Sequence, residues 1–201
     1  MANNTTSIKG LEQGRAKFAY ECVDQVLSIK NFKFEGNEIE TDKYIKKIFE
    51  NKLRKHEQKE DQRILEDFFA EPLNKMNVYS SGSGFEKDIA NLYEKTKKEY
   101  KSYVKKIPML IKTNGLGATF AFMLSKGGTY EVIGEQVLCW LKIDEKGFQN
   151  DNNLNSFKEL NKKIIDSKSP EYRALTIEVL AFFNWLRRFA DGLIEGEVEN
   201  D

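Results

Sequence analysis

Apolar residues recur at intervals of three and four along most of this chain, and only three prolines are present to interrupt them. That rhythm belongs to amphipathic helices, in which positions i, i+3, i+4 and i+7 share one face. No segment shows sustained period-two alternation, and no repeat of fixed period is evident. The fold class expected is therefore all-α, a single helical bundle. Charged residues drawn largely from Lys and Glu favour helix further, because both lose little rotamer freedom there. With 40% apolar and 12% aromatic residues the chain can bury a real core, and its 201 residues suit one compact domain.

The first periodic segment covers residues 8–30, with Phe18, Ala19, Cys22, Val23, Val26 and Leu27 on one stripe. Ser7 is placed to cap it, while Gly10 and Gly14 weaken its start. Residues 31–85 differ in texture: a polar link, NFKFEGNEIETD, precedes two short charged helices around Ile45–Phe49 and Ile64–Phe69. The stretch closes on the turn-like SSGSG, residues 80–84, and reads as a peripheral helical insertion after the first helix. A long helix over 85–112 follows, which Pro108 should kink or restart and which Thr113-Asn114-Gly115 should end. Two shorter helices carry Leu116–Leu124 and Tyr130–Leu141. Residues 146–155 read as a loop, and Ser169-Pro170 opens the last helix. That helix has a very wide apolar face, including Trp185 and Phe189, which predicts it as the buried centre of the bundle. Glu195, Glu197, Glu199 and Asp201 form a solvated acidic tail.

The composition is poor in catalytic signals. His56 stands alone within KLRKHEQKEDQR, without a second His or Cys at metal spacing. GxxxxGK, GxSxG and HExxH are all absent. The glycines of NGLG and KGG follow helices rather than strands and read as helix ends. Glu12, Glu21, Asp24, Glu171 and Glu178 form no recognisable acid–base or metal constellation. Cys22 and Cys139 lie among apolar neighbours and read as buried, reduced core residues. A protein without enzymatic activity, metal or cofactor is expected. The amino terminus carries no apolar stretch of signal-peptide length, and no run of about 18 apolar residues suggests a span, so a cytoplasmic protein is expected.

Charge is more informative. The 32 basic residues balance the 32 acidic ones, so a nucleic-acid role would have to rest on local segregation of charge. Such segregation occurs between Tyr93 and Thr113, where Lys95, Lys97, Lys98, Lys101, Lys105, Lys106 and Lys112 face only Glu94 and Glu99. At about 100° per residue the lysines gather on one side of the helix and Tyr93, Tyr100, Tyr103, Ile107 and Ile111 on the other. An ordinary solvated face and a phosphate-contacting surface both fit this pattern. Arg15 and Lys17 on the first helix, with Arg173, Arg187 and Arg188 on the last, could extend the surface.

Three segments together carry a resemblance: LEQGRAKFAYE (11–21), YKSYVKKIPMLIKTNGLGATFAFMLSK (100–126) and EYRALTIEVLAFFNWLRRFADGL (171–193). In order and content, with VKKIP, TNGLG and WLRRFA the most specific, they resemble the small all-helical fifth subunit of the type III-B Cmr CRISPR effector complex. The resemblance implies a non-catalytic subunit that stacks in several copies and contacts the other Cmr subunits. It also implies contact with crRNA and target RNA, and no membrane association. Lys105, Lys106, Lys112, Arg15, Arg173, Arg187 and Arg188 lie inside the matching segments. The insertion of some fifty residues before the lysine helix (residues 31–85) departs from compact family members.

Overall fold

The computed structural model describes residues 2–53, 59–82, 84–143 and 154–196. Among these residues it forms nine helices and one hairpin: α1 (Ala2–Ser28), β1 (Phe32–Phe34), β2 (Asn37–Ile39), α2 (Asp42–Lys52), α3 (Lys59–Ala70), α4 (Pro72–Ser81), α5 (Phe85–Asn114), α6 (Leu116–Lys126), α7 (Thr129–Lys142), α8 (Phe157–Asp166) and α9 (Ser169–Leu193). His56, Ser83, residues 146–153 of the expected loop, and Glu197, Glu199 and Asp201 of the acidic tail lie outside the described residues. The all-α class holds.

α1, α5, α7 and α9 pack around one core, with α1 and α5 on either side of α9. The centre is α7, not α9. Nearly every residue of α7 from Thr129 to Leu141 is buried, whereas α9 leaves Ile177 69% exposed and buries one stripe, Leu175, Val179, Phe182, Phe183, Leu186 and Ala190. α9 has a wide apolar face because it serves two neighbours, and Trp185 and Phe189 sit at its half-buried edge. α7 hid its position behind Glu135 and Gln136, two polar residues that the core satisfies. Gln136 Nε2 donates to the Cys22 carbonyl (3.0 Å) and Gln136 Oε1 accepts from Tyr100 Oη (2.7 Å), while Glu135 accepts from the Phe157 amide (3.0 Å). α8 lies so close that a Cβ at Gly134 would come within 2.3 Å of the Phe157 ring.

The hairpin was not expected from the sequence. Its turn places Glu35 (φ 49°) and Gly36 (φ 82°) in left-handed conformations, as a two-residue primed turn requires, and pairs Phe34 with Asn37. Phe34 meets Phe18 edge-on at 5.1 Å, so the link enters the core instead of skirting it. α2, α3 and α4 contribute Phe49, Phe68 and Tyr79 to an aromatic cluster, in which Phe68 stacks on Tyr79 and meets Tyr93 of α5 edge-on.

Three helix boundaries carry further detail. α1 starts at Ala2, so Ser7 is inside the helix and not its cap, and the Trp140 ring lies over Gly14. α5 continues through Pro108 as one helix of 30 residues and ends at Gly115 (φ 85°), the expected stop. α9 begins at Ser169 with Pro170 in its first turn, as its sequence predicts.

Candidate nucleic-acid interface

The lysines of α5 fall into two groups once α9 is in place. Lys98, Lys105 and Lys112 recur every seven residues and Lys101 lies between them, a stripe about 21 Å long at 1.5 Å per residue. This stripe borders α9. Lys101 Nζ donates to the Ile194 carbonyl at the C-terminal end of α9 (2.8 Å), where helix carbonyls carry partial negative charge. The Lys98 side chain lies against Gly196, and Lys105 Nζ is 3.4 Å from Asp191. Lys112 is exposed farther along. Lys95 and Lys106 are exposed on the other side of α5, and among the described residues Lys95, Lys106 and Lys112 make no ion pair. Lys97 belongs to neither group, because it pairs with Glu94 (2.6 Å) and covers the Tyr93 ring at 4.5 Å.

On α9, Arg187 is exposed one turn before Asp191, on the side that faces α5. Arg173, also exposed, precedes Arg187 by fourteen residues, about four turns, and so shares that side. Lys98, Lys101, Lys105, Lys112, Arg173 and Arg187 thus line one α5–α9 groove. The remaining candidates lie elsewhere. Arg188 stacks over Trp185 (5.2 Å) on the side of α9 toward α1, and Lys17 lies over Phe34 (5.5 Å) beside the hairpin.

Arg15 departs most from the expected surface. Its side chain is 10% exposed and its guanidinium grips Glu178 with two bonds, Nε to Oε1 (3.0 Å) and Nη2 to Oε2 (2.6 Å). A third bond reaches Glu12 (2.5 Å). Glu178 also accepts from Trp140 Nε1 (2.9 Å), and Glu12 from Trp185 Nε1 (2.7 Å). The hydrogen bonds to Glu178 hold the guanidinium pKa above its already high ordinary value. Arg15 fastens α1 to α9.

Sequence reading passed over an aromatic group on the opposite flank of α5. Tyr103 of α5 and Tyr130 of α7 stack in parallel at 3.9 Å, and Phe122 of α6 meets Tyr130 edge-on at 5.5 Å. The available signal was that Phe122 falls off the buried stripe of Leu116, Phe120 and Met123.

Chemistry elsewhere is muted. Among the described residues no group of three or more His, Cys, Asp or Glu could hold a metal ion. Cys22 and Cys139 are free thiols, and burial pushes the Cys139 thiol up to about 12 and that of Cys22 well above its ordinary value. Neither is a thiolate near neutral pH. No described helix is long and apolar enough to cross a membrane.

The fold and groove define a small helical protein whose local cationic surface is set into a charge-balanced whole. The family model for CRISPR-associated protein (Cas_Cmr5) matches residues 85–193, from the start of α5 to the end of α9. A relative described as CRISPR system Cmr subunit Cmr5, from Thermus thermophilus, is 31% identical over 98 residues, covering 48% of this chain and 76% of that protein. A crystal structure of a CRISPR-associated Cmr5 family protein from the same organism shares 27% identity at a TM-score of 0.41, covering 61% of this chain and 89% of that one. This chain belongs to the Cas_Cmr5 family.

Proposed function

We propose that this chain is a non-catalytic structural subunit of a type III-B CRISPR ribonucleoprotein, acting in the cytoplasm in antiviral defence. It stacks along the complex beside other Cmr subunits and further copies of itself, and supports the pairing of guide RNA with target RNA. Family membership supports the placement in a Cmr complex. The α5–α9 groove supports the RNA contact, because point-charge lysines and arginines in a row suit a phosphate backbone read without regard to sequence. Residues 31–85 are then an insertion carried on the common helical body; all but the last of them lie, with α1, outside the family match at 85–193.

Reversing Lys105, Lys112 and Arg187, three cations of the groove, to Glu tests the RNA contact. All three are exposed, and the Lys105–Asp191 pair is about 40% exposed on both sides, a setting in which ion pairs contribute about 1 kcal/mol at most. The triple variant should therefore keep its thermal stability while losing RNA affinity. The slope of log affinity against log salt should shallow by about 2, the value for three lost contacts on a single strand. Unchanged affinity and slope would remove the groove as the contact surface.

An alternative, a helical protein–protein adaptor that touches no RNA, has one observation in its favour. Tyr20 and Leu193 are exposed beside the half-buried Trp185 and Phe189, giving α9 an apolar edge along α1. On that reading the charge reversals would leave partner capture intact, and Leu193→Asp would abolish it.

A further inference from the structure

The groove accounts for phosphates but offers little to a base. The flank of α5 away from α9 offers the reverse. Tyr103 and Tyr130 form a parallel pair at 3.9 Å with an interplanar angle of 5°, held between α5 and α7. Phe122 stands edge-on to Tyr130, is 39% exposed, and has Lys126 Nζ 5.6 Å from its ring centroid. Lys106 is exposed one turn after Tyr103. Phe122 and Lys126 therefore present an accessible π-face and a positive charge together at the surface. Glu99, whose charge acts on both Tyr103 and Tyr130, accepts a hydrogen bond from Thr129 (3.1 Å). Gly127 and Gly128, both near φ +60°, make the tight turn that sets Lys126 and Tyr130 close together.

Resting on the RNA-binding reading above, we propose that Phe122, backed by the Tyr103–Tyr130 stack, is a stacking platform for an unpaired nucleobase of single-stranded RNA, with Lys126 and Lys106 taking the flanking phosphates. The chemistry that recognises this partner is a π-face plus two separated cations. Duplex RNA fits it poorly, since its bases are already stacked on one another. An acidic protein surface would use the cations but leave the ring idle.

The full-length chain is titrated with an oligouridylate, with an abasic oligomer of equal phosphate number, and with an RNA duplex. Wild type should bind the oligouridylate about tenfold more tightly than the abasic oligomer, the scale of one base–aromatic stack. Phe122→Ala should erase that difference without changing duplex affinity, and Phe122→Trp should restore it. A 5-iodouridine in the strand should photocrosslink to Phe122 or Tyr103. Phe122→Ala binding the oligouridylate as wild type does, or crosslinks confined to other peptides, would overturn the platform alone. Absence of binding to all three probes would overturn both the platform and the RNA contact on which it rests.

Discussion

Trp140→Ala should lower the unfolding free energy by about 3–5 kcal/mol, the range for emptying a fully packed aromatic site. Trp140 is 1% exposed on α7, stacks on Phe182 at 5.6 Å with an angle of 12°, lies 5.4 Å from Phe18 and covers Gly14. The ring thus touches α1 and α9 at once, and its loss opens a cavity that three rigid helices cannot close. The same deletion also removes one of the hydrogen bonds that Glu178 accepts, the one from Trp140 Nε1, leaving those from Arg15. Trp185→Ala is the contrast. That ring is half-buried at the edge of α9, stacked loosely on Phe189 at 6.1 Å, and should cost about 1–2 kcal/mol. Urea unfolding of both variants checks the pair. Equal losses would mean that α9, not α7, is the centre.

Glu178→Ala should cost about 3 kcal/mol, because it leaves the mostly buried Arg15 guanidinium without its two-bond partner. The figure is at the lower end for a broken internal pair because Glu12 still holds Nη1. Removing both partners should be less damaging than the two single losses predict, since no uncompensated charge is then left. In a double-mutant cycle the Arg15→Ala/Glu178→Ala protein should fall short of additivity by about 1–3 kcal/mol. Additive losses would show that the clamp contributes no more than its separate contacts. This expectation assigns Arg15 to stability, and lysine reversals on α5 should not alter it.

Much of this architecture was legible because helix periodicity is local. The stop at Gly115, the start at Ser169-Pro170 and the α5 stripe of Ile89, Tyr93, Tyr100, Val104, Ile107 and Ile111 follow from spacing and backbone chemistry alone. The misreadings share a cause, which is that satisfaction is not local. Glu135 and Gln136 look like surface residues until Phe157, Tyr100 and Cys22 supply their partners. The hairpin is too short for an alternation count, although Phe-Lys-Phe and Asn-Glu-Ile flank the Glu35-Gly36 turn. The lysine face divides because α9 presents carbonyls and Asp191 to one edge of it. Arg15 lies three, four and seven residues before Phe18, Ala19 and Cys22, on the buried stripe of α1, but its charge suits solvent until Glu178, distant in sequence, supplies a partner inside. Phe122 needed Tyr103 and Tyr130 from two other helices before it could be told from an ordinary core phenylalanine.

Membership in an RNA-guided assembly is tested by affinity capture of the tagged chain from its native host, with sequencing of the RNA that accompanies it. Recovery of repeat-derived crRNAs together with the other Cmr subunits is the expected result. Capture of partners with neither RNA nor Cmr subunits, from cells that express that system, would contradict it.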